Sequence, residues 1–167
     1  LDTNIASIIA PNENAVSSST PFVSNVYGSG SGSTEYDRVT SQNWGGTNAS
    51  GRNAGGSVAY AYDFSDPPAP KNTVTDRNGN QTEYTFDDCL CHAVKVVEKT
   101  NRNVRSGEGD YTTLLTFNND GEITSITYPE GNSIQNVYDV GNVNRSAHGN
   151  LLSTTRIAGS RGGDGSG

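Results

Sequence analysis

Two cysteines, two histidines and eighteen Asp/Glu are the groups in this 167-residue sequence that could do chemistry near neutral pH. Cys89, Cys91 and His92 stand together in Asp88-Cys89-Leu90-Cys91-His92. Covalent haem attachment needs two residues between the cysteines where this sequence has one, and a zinc site of the usual kind needs a second ligand pair that the chain lacks. A bond between Cys89 and Cys91 would close a very small, strained ring. The two are read as free or partly buried thiols or as a disulfide, within one chain or between chains, with metal binding as the third reading. Asp76, Asn78 and Asn80 place oxygen side chains at alternate positions, with Asp87 beyond them, like a calcium loop. The glycine of such a loop belongs at the sixth position, whereas Gly79 stands at the fourth and an aromatic strand follows. A hairpin turn is the preferred reading, and these three residues are the chain's calcium candidates. No other cofactor is expected. His92 and His148 lack a motif-linked nucleophile, and any pair of carboxylates chosen for glycoside hydrolysis would be arbitrary. No catalytic residue is assigned, and the chain is read as non-enzymatic.

Composition narrows the elements that must carry these groups. The formal charge is −7 with a pI near 4.6, and the eleven Lys/Arg are scattered. Nucleic acid is therefore not the expected partner, because phosphate neutralisation needs clustered cations. No apolar run approaches the ~20 residues of a membrane helix. Strand formers outnumber helix formers, and Gly, Asn, Asp, Ser and Pro approach half of the chain. Short strands joined by tight turns are the natural outcome, so the predicted class is all-β. With no Met anywhere, the chain reads as beginning inside a longer precursor or as having been processed.

Along the chain, residues 1–56 form a Gly/Ser/Asn-rich arm with apolar islands at Ile5/Ile8/Ile9 and at Phe22-Val23 to Val26-Tyr27, short strands in search of a partner. Trp44, the single Trp, reads as a plug over a core edge rather than as a ligand platform. From 57 to 160 the pattern predicts strands at 57–62, 72–76, 81–87, 92–98, 111–118, 122–128, 133–139 and 150–157. Within 81–87, Thr82, Tyr84 and Phe86 share one face and Gln81, Glu83 and Thr85 the other. Asn78-Gly79, Asp120-Gly121 and Glu130-Gly131-Asn132 punctuate these strands with hairpin turns. Residues 161–167 read as a flexible Gly-rich tail.

Residues 74–87 align without gaps on 126–139, with Thr, Gly, Asn and the final Asp coinciding. The unit runs from an aromatic-Asp step through a strand and a Gly-Asn turn to a strand that returns to aromatic-Asp. Tyr62-Asp63, Phe86-Asp87, Phe117-Asn118 and Tyr138-Asp139, with the turns at Gly79-Asn80, Gly121 and Gly131-Asn132, resemble the RHS or YD repeats of large secreted bacterial proteins. The resemblance covers roughly 57–160. Phe replaces Tyr twice, Asn118 replaces Asp, and Asp88-Cys89-Leu90-Cys91 stands where a Gly-Arg-Leu turn is usual, so an irregular hairpin is expected there.

That resemblance implies consecutive antiparallel hairpins in an open, curved sheet, part of a β-shell around a toxin or of a teneurin-like adhesion protein. The aromatic packs along the sheet and the Asp anchors the following turn, which agrees with the habit of Asx side chains to accept nearby backbone N–H groups. The family's self-cleaving aspartate site and a toxin domain are not found. The expected role is a structural segment of a secreted or cell-surface bacterial protein, its partners being neighbouring repeats or copies of itself. Two alternatives are a filament subunit that assembles by strand addition and a surface adhesin that binds glycans.

Overall fold

A computed structural model describes residues 4–9, 21–45, 55–89, 92–99, 109–144 and 148–159. The described residues form eleven strands and no helix: β1 (Ser7–Ile8), β2 (Val23–Tyr27), β3 (Val39–Trp44), β4 (Gly56–Asp63), β5 (Lys71–Thr75), β6 (Gln81–Phe86), β7 (Ala93–Glu98), β8 (Tyr111–Phe117), β9 (Ile123–Thr127), β10 (Ser133–Tyr138) and β11 (Leu151–Ile157). They are ordered as in the chain, so each strand's neighbours in the sheet are its neighbours in sequence. The protein is all-β and built of consecutive antiparallel hairpins, as the alternation and turn chemistry predict. No helix among the described residues is long and apolar enough to cross a membrane.

The chain divides into two compact units, Leu1–Ser65 with Lys71–Thr82, and Asp66–Pro70 with Glu83–Gly167. In the first, β1 pairs with β2 through Ile8↔Val23, β2 with β3 through Val23↔Trp44, β3 with β4 through Trp44↔Gly56, and β4 with β5 through Asp63↔Lys71. The described part of the arm thus contributes three strands, paired in turn onto β4. β3 is unannounced by sequence pattern because Thr40-Ser41-Gln42-Asn43 offers no apolar alternation. Partners on both sides hold it, and Gln42 Nε2 donates to Asn25 Oδ1 across the ladder at 3.0 Å. In the second unit β7 to β11 pair in order, with Lys95↔Leu114, Leu115↔Ile126, Ile134↔Ile126 and Ile134↔Arg156 marking the registers.

Burial is shallow. Among the described residues only Val23, Pro70, Thr85 and Val97 are buried. β4 alternates strictly, with Val58, Tyr60 and Tyr62 half-buried and Ser57, Ala59, Ala61 and Asp63 exposed. Thr85 lies on the face of β6 that the alternation assigns to polar groups, and it is 8% exposed. β11 is exposed at all seven residues, including Leu151, Leu152 and Ile157.

Candidate functional site: aromatic steps and the turns they open

Four even-numbered strands end on an aromatic residue, Tyr27 in β2, Phe86 in β6, Phe117 in β8 and Tyr138 in β10, and in β4 Tyr62 is the last but one. The three tyrosines do the same thing with their hydroxyls. Tyr62 donates to the carbonyl of Val39 at 2.7 Å, Tyr138 to that of Ile123 at 3.1 Å and Tyr27 to that of Ile5 at 2.9 Å. Val39 and Ile123 open the preceding strands, so each ring ties the end of one strand to the start of the one before. Asn25 and Asn136 donate to the same carbonyls as Tyr27 and Tyr138, at 2.8 and 3.0 Å. Opposite Tyr27, Phe117 and Tyr138 the facing strand carries one extra residue, Thr40, Thr124 and Leu152 respectively. Such bulges sharpen the local twist where the aromatic must turn across its neighbour.

The repeat therefore begins before residue 57. Tyr27 belongs to it although Gly28 follows in place of Asp, which hid it from a search for aromatic-Asp steps. The available signal was the identical tripeptide Asn25-Val26-Tyr27 and Asn136-Val137-Tyr138. Burial holds the Tyr62 hydroxyl above its ordinary range, and Arg38 opposes that shift. The Arg38 guanidinium lies 5.7 Å from the Tyr62 ring centre and 4.7 Å from that of Phe64.

The Gly turns share one backbone form. The N–H of Asp76, Asn118 and Tyr128 donates to the carbonyl four residues on, at Asn80, Glu122 and Asn132. The N–H of Gly79, Gly121 and Gly131 donates back, and these glycines have φ of 82°, 84° and 81°. L-residues avoid this left-handed region, which explains the glycine at the fourth position. Asp76 Oδ1 accepts the N–H groups of Asn78 and Asn80, both at 2.8 Å, and Oδ2 accepts Asn80 Nδ2 at 2.9 Å. These bonds, with that of the Asn80 side chain leading, hold the Asp76 carboxyl below its usual range. The calcium candidates Asp76, Asn78 and Asn80 are thus the parts of a hairpin turn. Asn118 Oδ1 repeats the arrangement with the N–H groups of Asp120 and Glu122, both at 3.0 Å, so Asn for Asp keeps the acceptor and gives up only the charge. Tyr128 has no such oxygen, and its turn keeps only the backbone bonds.

Asp63 Oδ1 accepts the N–H of Ser65 at 2.9 Å, and bonding to Ser65 lowers its pKa. Asp139 donates its N–H to the carbonyl of Asn150, closing a longer loop, and its Oδ2 accepts Asn142 Nδ2 at 3.2 Å. In that loop His148 Nε2 lies 2.6 Å from the carbonyl of Asn142, so it carries the proton and donates. His148 Nδ1 is buried without a hydrogen-bond partner and stands 3.5 Å from Asp120 Oδ2, near enough for an ion pair but not aligned as a hydrogen bond.

After Phe86 the turn is irregular, as its sequence predicts. The N–H of Asp87 donates to the carbonyl of His92, five residues on instead of four. Asp87 Oδ1 accepts the His92 N–H at 3.3 Å, and Oδ2 is 2.8 Å from His92 Nδ1. The imidazole stacks on Phe117 with ring centres 4.3 Å apart. Cys89 is disulfide-bonded, and its Sγ lies 3.3 Å from Asp87 Oδ1. The sequence's one other cysteine, Cys91, lies outside the described residues. Trp44 closes β3, opposite Val23 and Gly56, at 36% exposure.

No protein-family model matches this chain, and no curated protein matches it.

Proposed function

We propose that this chain is a wall segment of a secreted bacterial protein of the RHS/YD-repeat type, structural and non-catalytic, whose partners are further repeats of the same kind. The observation that carries this reading is the recurrence of an aromatic at or next to the end of β2, β4, β6, β8 and β10, tied back through its hydroxyl where it is Tyr, with an Asx or Gly turn beside it. A unit of this kind buries little by itself, and stacking on neighbours supplies the contacts it lacks. The shallow burial of the described strands fits that economy. The test is the reading frame that encodes the chain, together with the mass of the secreted product. Further aromatic-Asx units on both sides within one long polypeptide are expected, and a short frame with its own signal peptide and no further repeats overturns the reading.

One observation favours a second reading, a filament subunit that grows by strand addition. β11 is exposed along its whole length and carries Leu151, Leu152 and Ile157 outward. Exposed strand edges of this length invite another strand. Regular filaments of the purified chain in negative stain would support it, and a monodisperse monomer would remove it.

A further inference from the structure

The turn between β6 and β7 is one residue longer than its relatives, and the insertion brings three kinds of donor together. The carboxylate of Asp87, the sulfur of Cys89 and the imidazole of His92 each offer one atom, and these atoms all lie within 4.8 Å of one another. The sister turns carry Asn80 or Glu122 where this one has His92, and no sulfur.

We propose that Asp87, Cys89 and His92 form a redox-gated site for a thiophilic divalent cation such as Zn2+. In a tetrahedral zinc site with Zn–N and Zn–O of about 2.0 Å and Zn–S of about 2.3 Å, adjacent ligand atoms stand about 3.3–3.7 Å apart. Asp87 Oδ2 and His92 Nδ1 are 2.8 Å apart and need to part by about 0.5 Å, while Cys89 Sγ, 3.3 Å from Asp87 Oδ1 and within 4.8 Å of the other donor atoms, needs to close on them by up to about 1.3 Å. The cation takes the place of the proton between Asp87 Oδ2 and His92 Nδ1, which passes through solvent to His92 Nε2 so that the ligating imidazole stays neutral, while Asp87 Oδ1 keeps its bond to the His92 N–H. The imidazole is held for this by its stack on Phe117. Gly121 makes room for it, since a Cβ there would stand 3.1 Å from His92 Nε2. A thiolate donor favours zinc and its neighbours over calcium or magnesium.

The gate is the disulfide. While Cys89 is oxidised it has no thiolate to offer. A dithiol reductant transfers two electrons and two protons to the S–S bond, which breaks to give two thiols as the reductant closes to its own disulfide. The arriving cation then displaces the Cys89 thiol proton to solvent, and a Zn–S bond forms.

The test uses Co2+ as a spectroscopic probe on the whole chain. The protein is reduced with dithiothreitol, desalted under nitrogen and titrated, beside an untreated sample. The expected result is a thiolate-to-cobalt absorption band that saturates at one equivalent in the reduced protein, is absent from the oxidised protein, is displaced by Zn2+ and is unmoved by excess Ca2+. Cys91→Ser, which cannot close a disulfide with Cys89, is expected to bind without reduction. Cys89→Ser loses the band with its far-UV circular dichroism unchanged, and His92→Gln weakens binding about tenfold or more. No band in the reduced protein, equal binding before reduction, or full binding by Cys89→Ser overturns the proposal.

Discussion

Gly79 isolates one physical effect at a single residue. Its φ is +82°, and nothing lies within 4 Å of where a Cβ would stand, so a substitution there tests backbone conformation alone. Gly79→Ala is expected to lower stability by about 1–2 kcal/mol and Gly79→Asn by less, read from urea midpoints at constant m. Asp76 supplies the matching electrostatic test. Its folded-state pKa lies below the ordinary value, so its contribution is present above that ordinary value and is lost as pH falls through the folded one. Asp76→Asn keeps an acceptor for the turn amides, as Asn118 does, and removes the titration. The wild-type chain should melt higher than Asp76→Asn at neutral pH, with the gap flat down to about pH 5 and closing below about pH 4. A gap that widens on acidification would contradict the assignment. The Gly and Asp roles were legible in sequence because a turn is decided by residues within five positions of one another. The role of Cys89 was not, because spacing alone leaves thiol and disulfide both open.

Among the elements, the tie between β10 and β9 rests on one carbonyl with two side-chain donors. Asn136 Nδ2 and Tyr138 OH both reach the oxygen of Ile123, at 3.0 and 3.1 Å. Tyr138→Phe and Asn136→Ala should each cost about 0.5–1.5 kcal/mol. Either donor satisfies the carbonyl alone, so the double variant should cost more than the sum, with a coupling of about 0.5 kcal/mol or more in a double-mutant cycle. Simple additivity would mean that the two bonds are independent. The eight strands expected after residue 56 lie within about one residue of those observed, because period-two alternation and Gly turns are local signals. β3 and the bulges at Thr40, Thr124 and Leu152 left no such trace. What holds them is the register of the facing strand, not their own residue pattern.

For the molecule as a whole, the exposed strand β11 concentrates the testable consequence. Leu152 is 64% exposed and is the extra residue of its bulge, so Leu152→Lys should change unfolding free energy by no more than about 0.5 kcal/mol. Any self-association through that strand should fall, because a lysine on an edge opposes pairing with another chain. Sedimentation velocity of both proteins at matched concentration is the measurement, and unchanged association would place the contact elsewhere. The sequence by itself determined the all-β class, the hairpin order and the turn glycines, since alternation and positive φ are properties of neighbouring residues. Only the tertiary structure decided that Tyr27 serves as Tyr138 does, that β3 is a strand, and that Asp87, Cys89 and His92 converge. Each of these depends on which backbone or side chain the fold brings alongside, and local pattern carries no record of that.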